Sequence, residues 1–300
     1  MSQTPIVDHR KGIAVASVGI TVLSFDALLV RLAETQAFNI TLFRGLFVFI
    51  ALTALLAMRK QLSQFRVYRD HGRAALLVTL LYGINTALFV FSISATKAAN
   101  TVVILSSSAF FAALFSWFLL REKIPLRTWV AIAVSLAGVV VVFAGSIGLE
   151  SWVGDMIALL LALMMGLTLT LLRRLPDLPK IPVVAMSGLV TAAIGIGFTD
   201  LGDMTIVSYS WLAVMGLLQM PIASVMLMKA TRYLPSPEVS LFLLIESVLG
   251  PVWVWLVLSE TVPPLTIYGG AAILGAVFVH SWLALKHPLG SDVSPIEPPL

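Results

Sequence analysis

The chain has 300 residues, of which 59% are hydrophobic and 11% charged, with a formal net charge of +4. A soluble domain carries about 25% charged residues, and no water-soluble core absorbs apolar sequence on this scale, so the composition excludes an ordinary globular enzyme or binding module and points to an all-α polytopic membrane protein. Cysteine is absent, which removes disulfides, thiolate catalysis and cysteine metal sites together.

Ten apolar segments are long enough to cross roughly 30 Å of hydrocarbon: 12–33, 38–58, 74–96, 99–120, 128–146, 153–172, 183–199, 209–230, 238–258 and 264–285. The polar start "MSQTPIVDHRK" leads into the first of these, which lacks a small-residue cleavage site and is expected to be a retained span. Within it "SFDALLVRL" (24–32) carries Asp26 and Arg31, and the second span carries Arg44 in "LFRGLFVFIAL" (42–52). Counted from the shared edge, Asp26 lies about 11 Å deep and Arg44 about 9 Å. Pairing them on sequential antiparallel helices solves two desolvation problems at once. We therefore expect Asp26–Arg44 to be a structural ion pair, with a role in an outward cavity as the alternative. Arg31 is close enough to the interface to snorkel, with Glu34 three residues on as its expected partner. The connection 59–73 is polar and expected at the surface.

Deeper polar groups follow in the later spans. Asn85 lies about 16 Å into the third, where Tyr82, Asn85 and Ser92 share one face with Phe89 near it. Ser106, Ser107 and Ser108 lie about 10 to 14 Å into the fourth, Gln219 about 15 Å into the eighth, and Glu246 about 12 Å into the ninth. Polar groups at such depth avoid lipid and face the bundle interior or a wet cavity. Tyr82, Asn85, Phe89, Ser106, Ser107, Ser108, Gln219 and Glu246 are the candidate substrate-binding residues. The competing reading for each is a helix-to-helix hydrogen bond, and the serine run covers enough faces that at least one must be structural. Pro221 and Pro251 lie inside spans eight and nine, where each deletes a backbone N–H and can bend its helix. They are the candidate gating positions, since the first half has no counterpart. The tail "KHPLGSDVSPIEPPL" has no periodicity and is expected to be disordered.

Lys and Arg orient the chain. Sixteen of the nineteen fall on the side that holds both expected termini, Arg31 and Arg44 lie within spans, and Lys97 alone lies opposite. By the positive-inside rule both termini face the cytoplasm. The chain also repeats itself: "FSWFLLREKIP" (115–125) can be laid on "WVWLVLSETVP" (253–263) at a constant offset of 138. Five spans is an odd number, so a second copy starts on the opposite face and the two halves are inverted. We expect repeats over 1–147 and 148–287, with the tail at 288–300. Inverted repeats recur in secondary transporters, with the substrate site near the midplane.

With Arg44 in its motif, "FSWFLLREKIP", and "IESVLGPVWVWLVLSETVP" (245–263) with Glu246 and Glu260, the chain resembles drug/metabolite transporters of the EamA type. Within these it is most similar to bacterial exporters of amino acids, including aromatic ones. The usual tryptophan-rich start of span one is here "TVLSFDALLVRL". The resemblance implies residence in the bacterial cytoplasmic (inner) membrane and export of a small-molecule substrate by alternating access through a central cavity. An enzyme is not expected: His280 is the one histidine in a span, and no HExxH, GxSxG or P-loop occurs. No catalytic residue, metal or cofactor is therefore assigned. No basic run interleaves with aromatics, so nucleic acid is excluded as a partner; the lipid bilayer and the solute remain, and a monomer is the working expectation. Alternative cargoes are nucleotide-sugars or other phosphorylated metabolites, which call for several cavity cations. A non-transport scaffold would call for a soluble domain.

Overall fold

The computed structural model describes residues 9–121, 126–146, 151–175, 177–202, 204–230 and 236–286. The expected repeat boundary at 147, positions 122–125 of the repeated motif and the expected tail lie outside them. All secondary structure among the described residues is helical, as a bilayer demands, because a helix satisfies its own backbone where no water is available. The chain runs through α1 (His9–Ser24), α2 (Asp26–Leu32), α3 (Ala37–Met58), a 3-10 turn (Leu62–Arg66), α4 (Val67–Asp70) and α5 (Gly72–Ala95). Next come α6 (Ala98–Ser106), α7 (Ser108–Leu120), α8 (Leu126–Ala144), α9 (Trp152–Arg174) and α10 (Lys180–Ile196). The remainder is α11 (Ile206–Ala213), a π-helical turn (Val214–Gln219), α12 (Met220–Ala230), α13 (Ser236–Leu258) and α14 (Pro264–Lys286).

Seven helical stretches among the described residues are long and apolar enough to cross a membrane: Arg10–Leu32, Ala37–Met58, Gly72–Ala95, Ala98–Leu120, Trp152–Arg174, Ile206–Ala230 and Pro264–Leu283. Shorter apolar helices lie at Thr128–Ala144, Lys180–Ile196 and Ile245–Leu258. The polar connection after α3 is more ordered than its composition suggests. Val67 is buried, and the Tyr68 hydroxyl is 2.7 Å from Thr79 Oγ1, which ties α4 to α5.

Three interruptions shape the interior. The first, at Phe25 (φ −74°, ψ −7°), separates α1 from α2; the second, at Ser107 (φ −69°, ψ −10°), separates α6 from α7. Neither contains proline or glycine. At both, a serine hydroxyl donates to the carbonyl three residues back: Ser24 to Thr21 at 2.7 Å and Ser107 to Ile104 at 2.6 Å. Such back-bonding competes with the helical ladder and loosens the turn. The third interruption is the π-helical turn that ends at Gln219, directly before the start of α12. Pro221 cannot donate to the carbonyl of Leu217, and the wider turn absorbs the lost bond. Pro251, by contrast, does not interrupt its helix. α13 is assigned as one helix through it.

α3 packs on α10 and α8 on α14, while α5 packs on α9 and α10, and α1 on α12 and α13. Glycine allows the first two pairs to touch backbone to backbone. A Cβ at Gly45 would collide with the Gly188 carbonyl and lie 2.6 Å from the Ala192 nitrogen; one at Gly188 would lie 2.5 Å from the Gly45 carbonyl. In the second pair, a Cβ at Gly138 would lie 2.7 Å from the Gly269 carbonyl, and one at Gly269 would lie 2.5 Å from that of Gly138. The largest apolar cluster surrounds α2, with Phe89, Val102, Leu161, Leu212, Met215 and Val254 against it.

Candidate functional site at the helix breaks

Asp26 is the first residue of α2, immediately after the break. Its Oδ2 accepts from Arg44 Nη2 at 2.8 Å, with the two side chains only 9% and 3% exposed. This is a desolvated pair, where removal of one partner strands the other. The same Arg44 nitrogen lies 3.6 Å from Met220 Sδ, and the guanidinium carbon is 5.6 Å from the Phe89 ring centroid. Much hydrogen-bonding capacity is unspent. Among the described residues Asp26 Oδ1 accepts no hydrogen bond and Arg44 Nε and Nη1 donate none, although all three atoms are buried. Buried polar atoms are normally satisfied, so a cluster of open ones invites a ligand or water.

Gln219, the last residue of the π-helical turn, sits opposite the same break. Its Nε2 donates to the carbonyls of Val22 and Leu23 at 3.2 and 3.3 Å, near the end of α1, where the helical ladder runs out of donors. Gln219 Oε1 is buried without a partner among the described residues. From α13, Trp253 stacks on Phe25 at 4.8 Å and donates to Ser24 Oγ at 2.9 Å. Glu246 on that helix is half-buried, within electrostatic reach of Asp26. The neighbouring Ser247 bonds Ser106 at 2.7 Å, which joins α13 to the second break. Ser107 is buried and committed to its own helix, and Ser108 is a half-buried residue at the start of α7.

The shared face expected for α5 divides in the structure. Asn85 donates to Thr168 of α9 at 2.9 Å and keeps a buried Oδ1 with no partner among the described residues. Ser92 donates to the Gly154 carbonyl at 2.9 Å, so these two groups look toward α9. Phe89 instead looks toward Arg44. Tyr82 packs with the cluster of Val78, Leu178 and Val183. The breaks thus gather Asp26, Arg44, Phe89, Gln219, Glu246 and Ser106, with Asn85 and Tyr82 set toward the neighbouring helices.

A second polar group lies at the end of the bundle where α2, α5 and α13 finish. Arg31 does not pair with Glu34, which is exposed with a left-handed backbone (φ 45°). Its Nη2 lies 3.3 Å from Glu260 and donates to the Thr96 carbonyl at 2.6 Å. Glu260 Oε1 also accepts from the Ala98 N–H at 2.9 Å and so caps α6. Beneath it Asp155, fully buried in the first turn of α9, accepts from Thr96 Oγ1 at 2.6 Å and from Asn100 at 3.0 and 3.1 Å. Sequence reading passed over Asp155 because it looks like an interfacial residue at a span end. Among the described residues no cluster of His, Asp and Glu is placed to hold a metal ion.

The EamA-like transporter family matches this chain twice, over residues 10–144 and 152–282. The chain belongs to that family. Membership agrees with the multi-span membrane fold that the long apolar helices indicate. A protein of Clostridium kluyveri described as an uncharacterized transporter is 39% identical over 74 residues, which are 25% of this chain and 24% of that protein. The chain therefore matches about a quarter of the length of that relative. A solved structure, described as the crystal structure of a protein, superposes over 91% of the EamA-like chain and 98% of its own, with a TM-score of 0.64 at 20% identity. That likeness is one of fold.

Proposed function

We propose that the protein is a secondary transporter that exports small metabolites, in the first place amino acids including aromatic ones, by alternating access. The observation that carries this reading is the set of open polar atoms at the helix breaks. Arg44 Nε and Nη1 are donors suited to a carboxylate, while Asp26 Oδ1, Gln219 Oε1 and the half-buried Glu246 are acceptors suited to an ammonium. Phe25, Phe89 and Trp253 offer apolar faces beside them. A zwitterion with an aromatic side chain uses all three. Arg44 is a single guanidinium already engaged by Asp26, which favours an amino acid over a phosphorylated cargo.

Alternating access in this reading comes from two inverted five-span repeats, over 1–147 and 148–287. Several observations support it. The family matches twice, in tandem. Arg121 and Ser259, equivalent at the offset of 138, both take a left-handed backbone, with φ 55° and 54°. Packing partners also exchange correctly: α5 on α9 corresponds to α12 on α1, while α3 on α10 and α8 on α14 map onto themselves. Ten spans follow if the seven long helical stretches are joined by the three shorter apolar helices. Pro221 and Pro251 are the gating positions, Pro221 through its π-helical turn. We place the protein as a monomer in the bacterial cytoplasmic membrane with both termini inside.

Counterflow in proteoliposomes with labelled amino acids, amines and sugar phosphates tests the reading. Aromatic amino acids should exchange fastest. Glu246→Gln and Gln219→Ala should weaken solute binding, whereas Pro221→Ala should slow exchange more than it weakens binding. Exchange confined to sugar phosphates would overturn the assignment.

A further inference from the structure

We infer that the cavity beside Arg31 is a second, peripheral anion site for a small carboxylate, and that Glu260 is its built-in competitor. The cavity has a volume of about 290 Å³ and is lined by Arg31, Thr96, Lys97, Asn100, Ser146 and Ser151 among others, with no acid among the described lining residues. Two cations therefore face it. Lys97 is exposed, makes no ion pair among the described residues, and is the lone Lys or Arg expected outside the spans on this face.

The hydrogen-bonding capacity of the wall points the same way. Thr96 and Asn100 direct their donors inward to Asp155, so the lone pairs of that acid are occupied behind the wall. Ser146 Oγ accepts from Asn100 at 3.2 Å, which leaves its own proton to donate elsewhere. Arg31 Nε is buried and has no partner among the described residues. The cavity thus presents Arg31, Lys97 and the Ser146 hydroxyl as donors, a set that fits a carboxylate.

Glu260 supplies the competition. Its carboxylate holds Arg31 at 3.3 Å, looser than the 2.8 Å of the buried Asp26–Arg44 pair, and both partners keep some exposure at 27% and 14%. An arriving carboxylate is chemically equivalent to the Glu260 side chain. When it draws Arg31 away, Glu260 keeps the Ala98 N–H as a hydrogen-bond partner and its partial exposure to water. Occupation of the cavity therefore loosens the tie between α2 and the end of α13, and this end of the bundle responds to free carboxylates. The inference rests on the Arg31 cavity and not on the identity of the exported solute.

The test is a titration of benzoate and its neutral analogue benzamide into full-length protein in nanodiscs of zwitterionic lipid, which removes anionic headgroups as rivals. Benzoate should bind and benzamide should not. Glu260→Gln should tighten benzoate binding about fivefold, the scale of a partly exposed ion pair. Lys97→Gln, at an exposed position that does not threaten folding, should weaken it by a similar factor. Unchanged benzoate affinity in either variant overturns the inference, as does equal binding of benzamide. Amino-acid counterflow is read separately, so its failure would leave these titrations intact.

Discussion

Arg44 spends one nitrogen on Asp26 and leaves two others, buried, without a hydrogen bond among the described residues. Such a residue is costly to disturb from one side only. Arg44→Met should destabilise the protein by about 3 kcal/mol or more, since it strands a buried carboxylate, whereas Asp26→Leu combined with Arg44→Met should recover most of the loss. Thermal unfolding and monodisperse yield in detergent would show this; a double variant no better than the single one would deny the coupling. The pair was legible because depth along two sequential helices can be counted from sequence. Arg31 was not, since helical spacing offers only the local Glu34, while its partner Glu260 is brought in by the packing of α13 beside α2. Asp155 stayed hidden for a related reason: its donors, Thr96 and Asn100, come from more than fifty residues away.

At the scale of elements, the apolar runs located the helices to within a few residues; the expected span 38–58, for example, is α3, Ala37–Met58. The interruptions were harder to foresee. Proline is the visible marker, yet Pro251 lies within the unbroken α13, and the breaks at Phe25 and Ser107 follow serine back-bonds that sequence does not distinguish from inter-helix bonds. Close helix crossings were equally invisible, because a glycine in a span can face lipid or a neighbour. Gly45→Ala should cost folded yield, as the added methyl meets backbone atoms of Gly188 and Ala192 that cannot turn aside. Gly275→Ala, with nothing within 4 Å, should be neutral or slightly stabilising. Equal yields for the two would show that α3 and α10 can separate at little cost.

The proposed orientation of the whole molecule rests on charge, and the absence of cysteine makes it easy to test. Gly202→Cys, between α10 and α11, and Ser63→Cys, in the exposed turn after α3, each introduce a lone thiol. A membrane-impermeant maleimide should label the first in intact cells and the second only after permeabilisation. The reverse pattern would invert the topology. The all-helical membrane fold was readable from composition alone, because a bilayer leaves few alternatives. The identity of the solute was not, since it depends on a few side-chain atoms that the breaks bring together.

The reciprocal glycine contacts have a mechanical meaning. α3 touches α10 at Gly45 and Gly188, and α8 touches α14 at Gly138 and Gly269, each a place where backbone meets backbone. Contacts of this kind oppose sliding and separation, which part backbone from backbone, more than a turn about the line that joins them. A turn of α3 and α8 against α10 and α14 about that line would keep both crossings, and its displacement would fall where α5 packs on α9 and α1 on α12.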